Sequence, residues 1–139
     1  MKVKSIETLS CDAGWRNYHF VKLTTDTGIV GWSEFDEGFG APGVGTVIER
    51  LSARVIGQEV GAHERIYAEL YSATRPASGG IVALAMGAIE NALLDAKARG
   101  LGVPRSLSRP RSTSGARPSR RRASTPTERG RSRCGLANR

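Results

Sequence analysis

Cysteine is scarce in this sequence. Cys11 and Cys134 stand far apart with no C-x-x-C spacing, which excludes both a disulfide framework and a cysteine zinc site. Long apolar runs are also missing. No stretch approaches the roughly 20 residues needed to span a bilayer, and no N-terminal segment resembles a signal peptide, so the expectation is a cytoplasmic protein with no membrane partner. Neither a G-x-S-x-G nor a Cys/His pair in a recognisable local context is present, which removes the common nucleophile signatures.

Acidic residues all but vanish at one end. Residues 105–139 hold 11 Arg, no Lys and one acid, Glu128, whereas residues 1–104 hold 10 Lys and Arg against 12 Asp and Glu. The net charge of +8 therefore describes the C-terminal segment and not the front of the chain. That segment also has no Val, Ile or aromatic residue, with Leu107 and Leu136 as its sizeable apolar side chains. It cannot bury enough surface to offset ordering costs of about 1–2 kcal/mol per residue, so 105–139 is expected to be a disordered tail. Its arginines would bind nucleic-acid phosphates non-specifically, and it lacks the aromatics that stack on bases.

What remains, residues 1–104, reads as one α+β domain. The segment 2–10 carries Val3, Ile6 and Leu9 among polar residues, a strand with imperfect alternation. Residues 17–25 alternate better, with His19, Val21 and Leu23 on one face and Tyr18 and Phe20 on the other. The triplet 26–28 supplies a turn, because Gly28 takes positive φ without a steric cost, and 29–35 returns as the partner strand. Residues 11–17 form the intervening loop. Three helices follow. In 42–57, Val44, Val47, Ile48, Leu51 and Val55 make one apolar stripe that stops at Gly57. In 63–73, Ile66 and Leu70 share a face beside Tyr67 and Tyr71. In 79–100, Ile81, Leu84, Ala85, Ala88, Ile89, Ala92, Leu93 and Ala96 form a continuous face, with Lys97 and Arg99 in the last turn and Gly100 as the left-handed exit. The expected architecture is a three-stranded antiparallel meander followed by a three-helix bundle.

Motifs within this domain are modest. Residues 38–43 read G-x-G-x-x-G, but the preceding strand belongs to a hairpin and the following helix leads to another helix, so a connecting or substrate-facing loop fits better than a dinucleotide site. Glu34, Asp36 and Glu37 cluster without the strand parity that would put all three on one side, and are expected to be solvated. Lys2 and Lys4 read as a solvated strand edge. His19 faces the core side of its strand, and His63 sits at a helix start. No catalytic residue and no metal-ligand set is assigned within 1–104.

Three segments resemble the N-terminal capping domain of the mandelate racemase/muconate lactonizing enzyme branch of the enolase superfamily. These are the opening strand MKVKSIET, the hairpin VKLTTDTGIVGWSE and, most specifically, AMGAIENALLDAKARGLGVP over 85–104. Ala85, Gly87, Ala88, Ile89, Glu90, Ala92, Leu93, Asp95, Ala98, Arg99 and Pro104 fall in step with the family's helix signature. The resemblance implies an enolase N-terminal-like fold over 1–104, placed ahead of a (β/α) barrel. It implies removal of a proton α to a carboxylate, in racemases, dehydratases or cycloisomerases, with Mg²⁺ and the catalytic bases held by the barrel. The cap would contribute loops that select a small carboxylate substrate. On this sequence those loops hold Trp15, Arg16 and Tyr18 in the first and Phe39 in the second. Asp95 reads as a structural hydrogen-bonding group.

After Pro104 the family pattern continues with an aliphatic residue and a Leu-Leu-Gly-Gly-like step, whereas here Arg105-Ser106-Leu107-Ser108 follows. The expectation is a truncated family member whose residues 105–139 come from a shifted reading frame. It would have no cofactor of its own, be inactive alone and tend to self-associate through the surface that a barrel would cover. A binding module with an Arg-rich nucleic-acid arm, and a cap complementing a separately encoded barrel, are the competing readings.

Overall fold

The computed structural model describes residues 1–38 and 41–108. Strand β1 (Val3–Asp12) pairs antiparallel with β2 (Asn17–Thr25), which pairs antiparallel with β3 (Val30–Phe35), giving the sheet order β1-β2-β3. Helices α1 (Val44–Val55), α2 (His63–Ala73) and α3 (Gly80–Leu101) follow, and a short helical turn, α4 (Arg105–Ser108), ends the described chain. The expected meander and three helices are thus the observed α+β architecture. No helix among the described residues is long and apolar enough to cross a membrane.

The alternation of β2 becomes two faces. Val21, Leu23 and Thr25 are buried against the helices, while Tyr18, Phe20 and Lys22 lie on the opposite face of the sheet. The stripe of α1 is buried through Val44, Ile48, Leu51 and Val55, and α2 buries Ile66 and Leu70. Helix α3 is the centre of the domain. It packs against β3 and β2 on one side and against α1 and α2 on the other, so its apolar residues are buried almost all round: Ala85, Met86, Ala88, Ile89, Ala92, Leu93, Leu94, Ala96 and Ala98. Each fully buried Leu or Ile in this core contributes about 1.5–3 kcal/mol relative to an exposed one. The alanines let the sheet approach closely.

Four details differ from the expectations. Strand β1 runs to Asp12 and the hairpin closes at Ala13, whose N–H donates to the Arg16 carbonyl (3.0 Å), so the first loop is 13–16 and not 11–17. Leu84 is not part of the buried face of α3 and is 51% exposed. Met86 packs inward there instead, where the Thr74 hydroxyl at the end of α2 reaches its sulfur (3.7 Å). Gly100 stays helical, and the left-handed exit is Gly102 (φ 65°), where the Gly102 and Val103 N–H groups donate back to the Arg99 and Ala98 carbonyls (3.2 and 3.1 Å) and close the helix. The expected tail begins with ordered chain: 105–108 make one helical turn, with the Leu107 N–H on the Pro104 carbonyl (2.9 Å) and Arg105 bonded to Asn91. The rest of the expected disordered tail lies outside the described residues.

Candidate functional site

Two loops meet at one end of the sheet. The first joins β1 to β2, and the second leaves β3. Between them lies an open cavity of about 530 Å³ lined by Trp15, Arg16, Asn17, His19, Asp36, Glu37 and Gly38. The first loop is shaped by Asp12, whose carboxylate accepts the Gly14 N–H (2.7 Å). A short polar side chain bonding two residues on is the usual way an Asp tightens a hairpin.

Arg16 is the organising side chain. Its guanidinium lies 4.5 Å from the centre of the Tyr18 ring and donates to the Glu34 carboxylate of β3 at 3.1 Å. Trp15 meets the same Tyr18 ring edge-on (centroids 6.0 Å, 85°), and Tyr18 in turn stacks beside Phe20 (6.5 Å, 15°). A cation–π contact at an exposed position contributes about 0.5–1 kcal/mol, enough to bias a loop though not to freeze it. The Trp15 side chain stays 77% exposed, so its apolar face is offered to solvent at the mouth of the cavity. On the other wall, His19 Nδ1 is 2.8 Å from the Ser10 hydroxyl, and the imidazole lies on the Phe35 ring (5.5 Å).

The three clustered carboxylates separate, each to its own partner. Glu34 pairs with Arg16, Asp36 accepts the Gly38 N–H (2.9 Å), and Glu37 accepts the Gly45 N–H (2.6 Å) in the first turn of α1, where a negative charge suits the helix dipole. Among the described residues no three His, Cys, Asp or Glu side chains come together to hold a metal ion. Mg²⁺, implied by the family resemblance, therefore finds no fitting donor set in this part of the chain. What the site can do is present a cation, an indole and an imidazole to a small molecule.

Of the residues expected to face substrate, the fold brings Trp15, Arg16 and Tyr18 together, whereas Phe39 lies outside the described residues. Asp95 takes the structural role expected of it: its Oδ2 accepts the Trp32 N–H (2.9 Å) and the Arg99 Nε–H (2.8 Å), tying α3 to β3. His19 and Asn17 line the cavity without having been singled out as candidates. The β2 alternation placed His19 on the core side, but it sits at the strand's end, where the core gives way to the cavity.

Residues 6–106 match the family "Mandelate racemase / muconate lactonizing enzyme, N-terminal domain". A D-galactonate dehydratase of Pectobacterium atrosepticum is 36% identical over 104 residues, which are 75% of this chain and 26% of that protein. Among solved structures, a Burkholderia xenovorans LB400 protein assigned as an L-alanine-DL-glutamate epimerase is 67% identical, with a TM-score of 0.75, covering 77% of this chain and 27% of that one. The 3,6-anhydro-D-galactonate cycloisomerase of Zobellia galactanivorans is 30% identical, with a TM-score of 0.70, over 77% of this chain and 31% of its own. A second structure of the Burkholderia protein contains magnesium and fumarate. The chain spans about a quarter of the length of the curated relatives it matches.

Proposed function

This chain belongs to the mandelate racemase / muconate lactonizing enzyme N-terminal domain family, and on that premise we propose that residues 1–104 are the substrate-capping part of a carbon-acid enzyme. In the proposed reaction a proton is removed α to the carboxylate of a small acid, as in a dehydratase, epimerase or cycloisomerase. The observation that carries the reading is the meeting of Arg16 and Trp15 on the Tyr18 ring beside an open cavity at the loop end of the sheet. Arg16 is a forked donor suited to a carboxylate and exchanges its Glu34 partner for it. Trp15 covers the apolar carbons. In this reading the cap makes no bond itself, because the metal ligands and bases that the family resemblance implies belong to the barrel. It binds, orients and excludes water.

Two further proposals follow from the same reading. The apolar cavity of about 390 Å³ around Met1, Ile29, Gly100 and Leu101, with Leu101 61% exposed, is the surface that the rest of such an enzyme covers. Without that cover it favours self-association. Residues 105–139 carry none of the chemistry, and their break with the family pattern is read as a shifted frame. The nucleotide sequence around codon 105 tests this, and absence of a Leu-Gly-Gly step in both alternative frames counts against it.

The enzymatic reading is tested with the purified 139-residue chain, assayed with hydroxy-acid and amino-acid carboxylates in Mg²⁺. No turnover is expected, whereas chelator-sensitive turnover would overturn the division of labour. Replacing the cap of the Burkholderia relative by residues 1–104 should restore turnover, with KM rising at least about tenfold on Arg16→Ala and kcat moving less.

A further inference from the structure

His19 sits in the middle of a row of three. Ser10 of β1 and Phe35 of β3 are its direct cross-strand partners. The Ser10 hydroxyl is 2.8 Å from Nδ1, and the Phe35 ring lies 5.5 Å from the imidazole. Side chains directly opposite on one face of a sheet hold one another in place, so the imidazole is oriented from both flanks before any ligand arrives.

Only one of its nitrogens is used. Nε2 makes no hydrogen bond among the described residues. No buried side-chain nitrogen or oxygen there lacks a partner, so Nε2 is reached by solvent at the cavity that the ring lines. The nature of the Nδ1 partner decides what Nε2 offers. A carboxylate in that place would hold the proton on Nδ1 and leave Nε2 an acceptor. A serine hydroxyl can donate to Nδ1 or accept from it, so Nε2 serves as a donor or as an acceptor. Asn17 on the same cavity also carries both. The ligand group that matches such a wall is a hydroxyl, which itself does both.

Charged groups match it less well. A second carboxylate on the ligand would lie beside Asp36 and Glu37, which line the same cavity. An ammonium would find carboxylates that each accept a backbone N–H already, Gly38 for Asp36 and Gly45 for Glu37, and Asp36 is exposed, where an ion pair contributes little.

Resting on the reading of Arg16 as the donor to the substrate carboxylate, we propose that His19 is a specificity-determining residue of the cap. It selects a monocarboxylate whose chain carries hydroxyl groups, by bonding one of them through Nε2. Ser10 acts through it as a positioning residue.

The test is a nuclear magnetic resonance titration of the full 139-residue chain, following the Trp15 indole and His19 ring signals. The probes are D-gluconate and three acids of the same chain length: hexanoate, adipate and 6-aminohexanoate. Gluconate should bind about tenfold more tightly than the others. His19→Phe keeps a ring on Phe35 and should bring gluconate to the level of hexanoate. His19→Gln, which keeps a donor and an acceptor, should retain part of the preference. Ser10→Ala should weaken gluconate by about threefold and leave hexanoate unmoved, a difference that a merely structural role would not produce. Urea midpoints check that each variant is folded. Gluconate and hexanoate bound alike, both weakened by Arg16→Ala, would overturn the role of His19 and leave that of Arg16 standing. A preference for gluconate that survives His19→Phe, or a preference for adipate or 6-aminohexanoate, also overturns the proposal. No Arg16-dependent shift with any probe overturns both readings.

Discussion

Gly31 of β3 lies directly on the backbone of α3: a Cβ built there would stand 2.2 Å from the Ala92 carbonyl oxygen and 2.8 Å from the Ala96 Cβ. Two backbones are in contact because one residue has no side chain and the facing ones have the smallest. Neither partner is a flexible side chain that could swing aside. Gly31→Ala should therefore push α3 off the sheet and destabilise the domain by about 3 kcal/mol or more, at the upper end of overpacking effects. Gly87→Ala, in the same helix with nothing within 4 Å of the added Cβ, should be neutral or stabilising by up to about 1 kcal/mol. Urea denaturation of both variants checks the contrast, and equal effects would refute the close-approach argument.

Asp95 should be felt at β3 before it is felt globally. It accepts one main-chain and one guanidinium hydrogen bond, and the main-chain partner, Trp32, has no other group on that side. Asp95→Ala leaves the Trp32 N–H to water and should cost about 1–3 kcal/mol, whereas Asp95→Asn keeps an acceptor and should cost less. Amide exchange at Trp32, which should quicken in Asp95→Ala beyond the change in global stability, separates the two.

The elements that were legible in the sequence were those with a single strong period. The stripe of α1 and the alternation of β2 each have one buried face, so periodicity alone located Val44, Ile48, Leu51 and Val55 or Val21 and Leu23. Helix α3 is buried nearly all round and has no single face to read. This is why periodicity puts Leu84 inside and misses Met86. The cavity was half legible. Trp15, Arg16 and Tyr18 announce themselves by type in a short loop, but the Glu34 that pairs with Arg16 comes from another strand, and only the register of β2 on β3 brings it there.

The aromatic cluster around Tyr18 should order the first loop without holding up the fold. Arg16 and Glu34 are both substantially exposed, so Arg16→Ala should change stability by no more than about 1 kcal/mol. Its larger effect should be on motion. Exchange of the amides at 13–17 should accelerate several-fold, and the fluorescence of Trp15 should lose part of its anisotropy. An unchanged loop would mean that the hairpin turn, held by Asp12, sets the conformation by itself.

The Arg-rich end of the chain should bind polyanions without adding to the stability of the domain. Residues 109–139 carry 10 of the 21 basic residues and one acid. A chain ending at 108, which keeps every core residue found among the described residues, should unfold at the same urea midpoint as the full chain. Binding to random duplex DNA should behave oppositely. Neutralising six to ten phosphates makes affinity fall by about 10³-fold or more between 50 and 200 mM salt, and the chain ending at 108, whose remaining residues are close to neutral, should not bind. Sequence-selective binding that survives 200 mM salt would instead favour a dedicated nucleic-acid arm, because a purely electrostatic contact reads phosphates alike on every sequence.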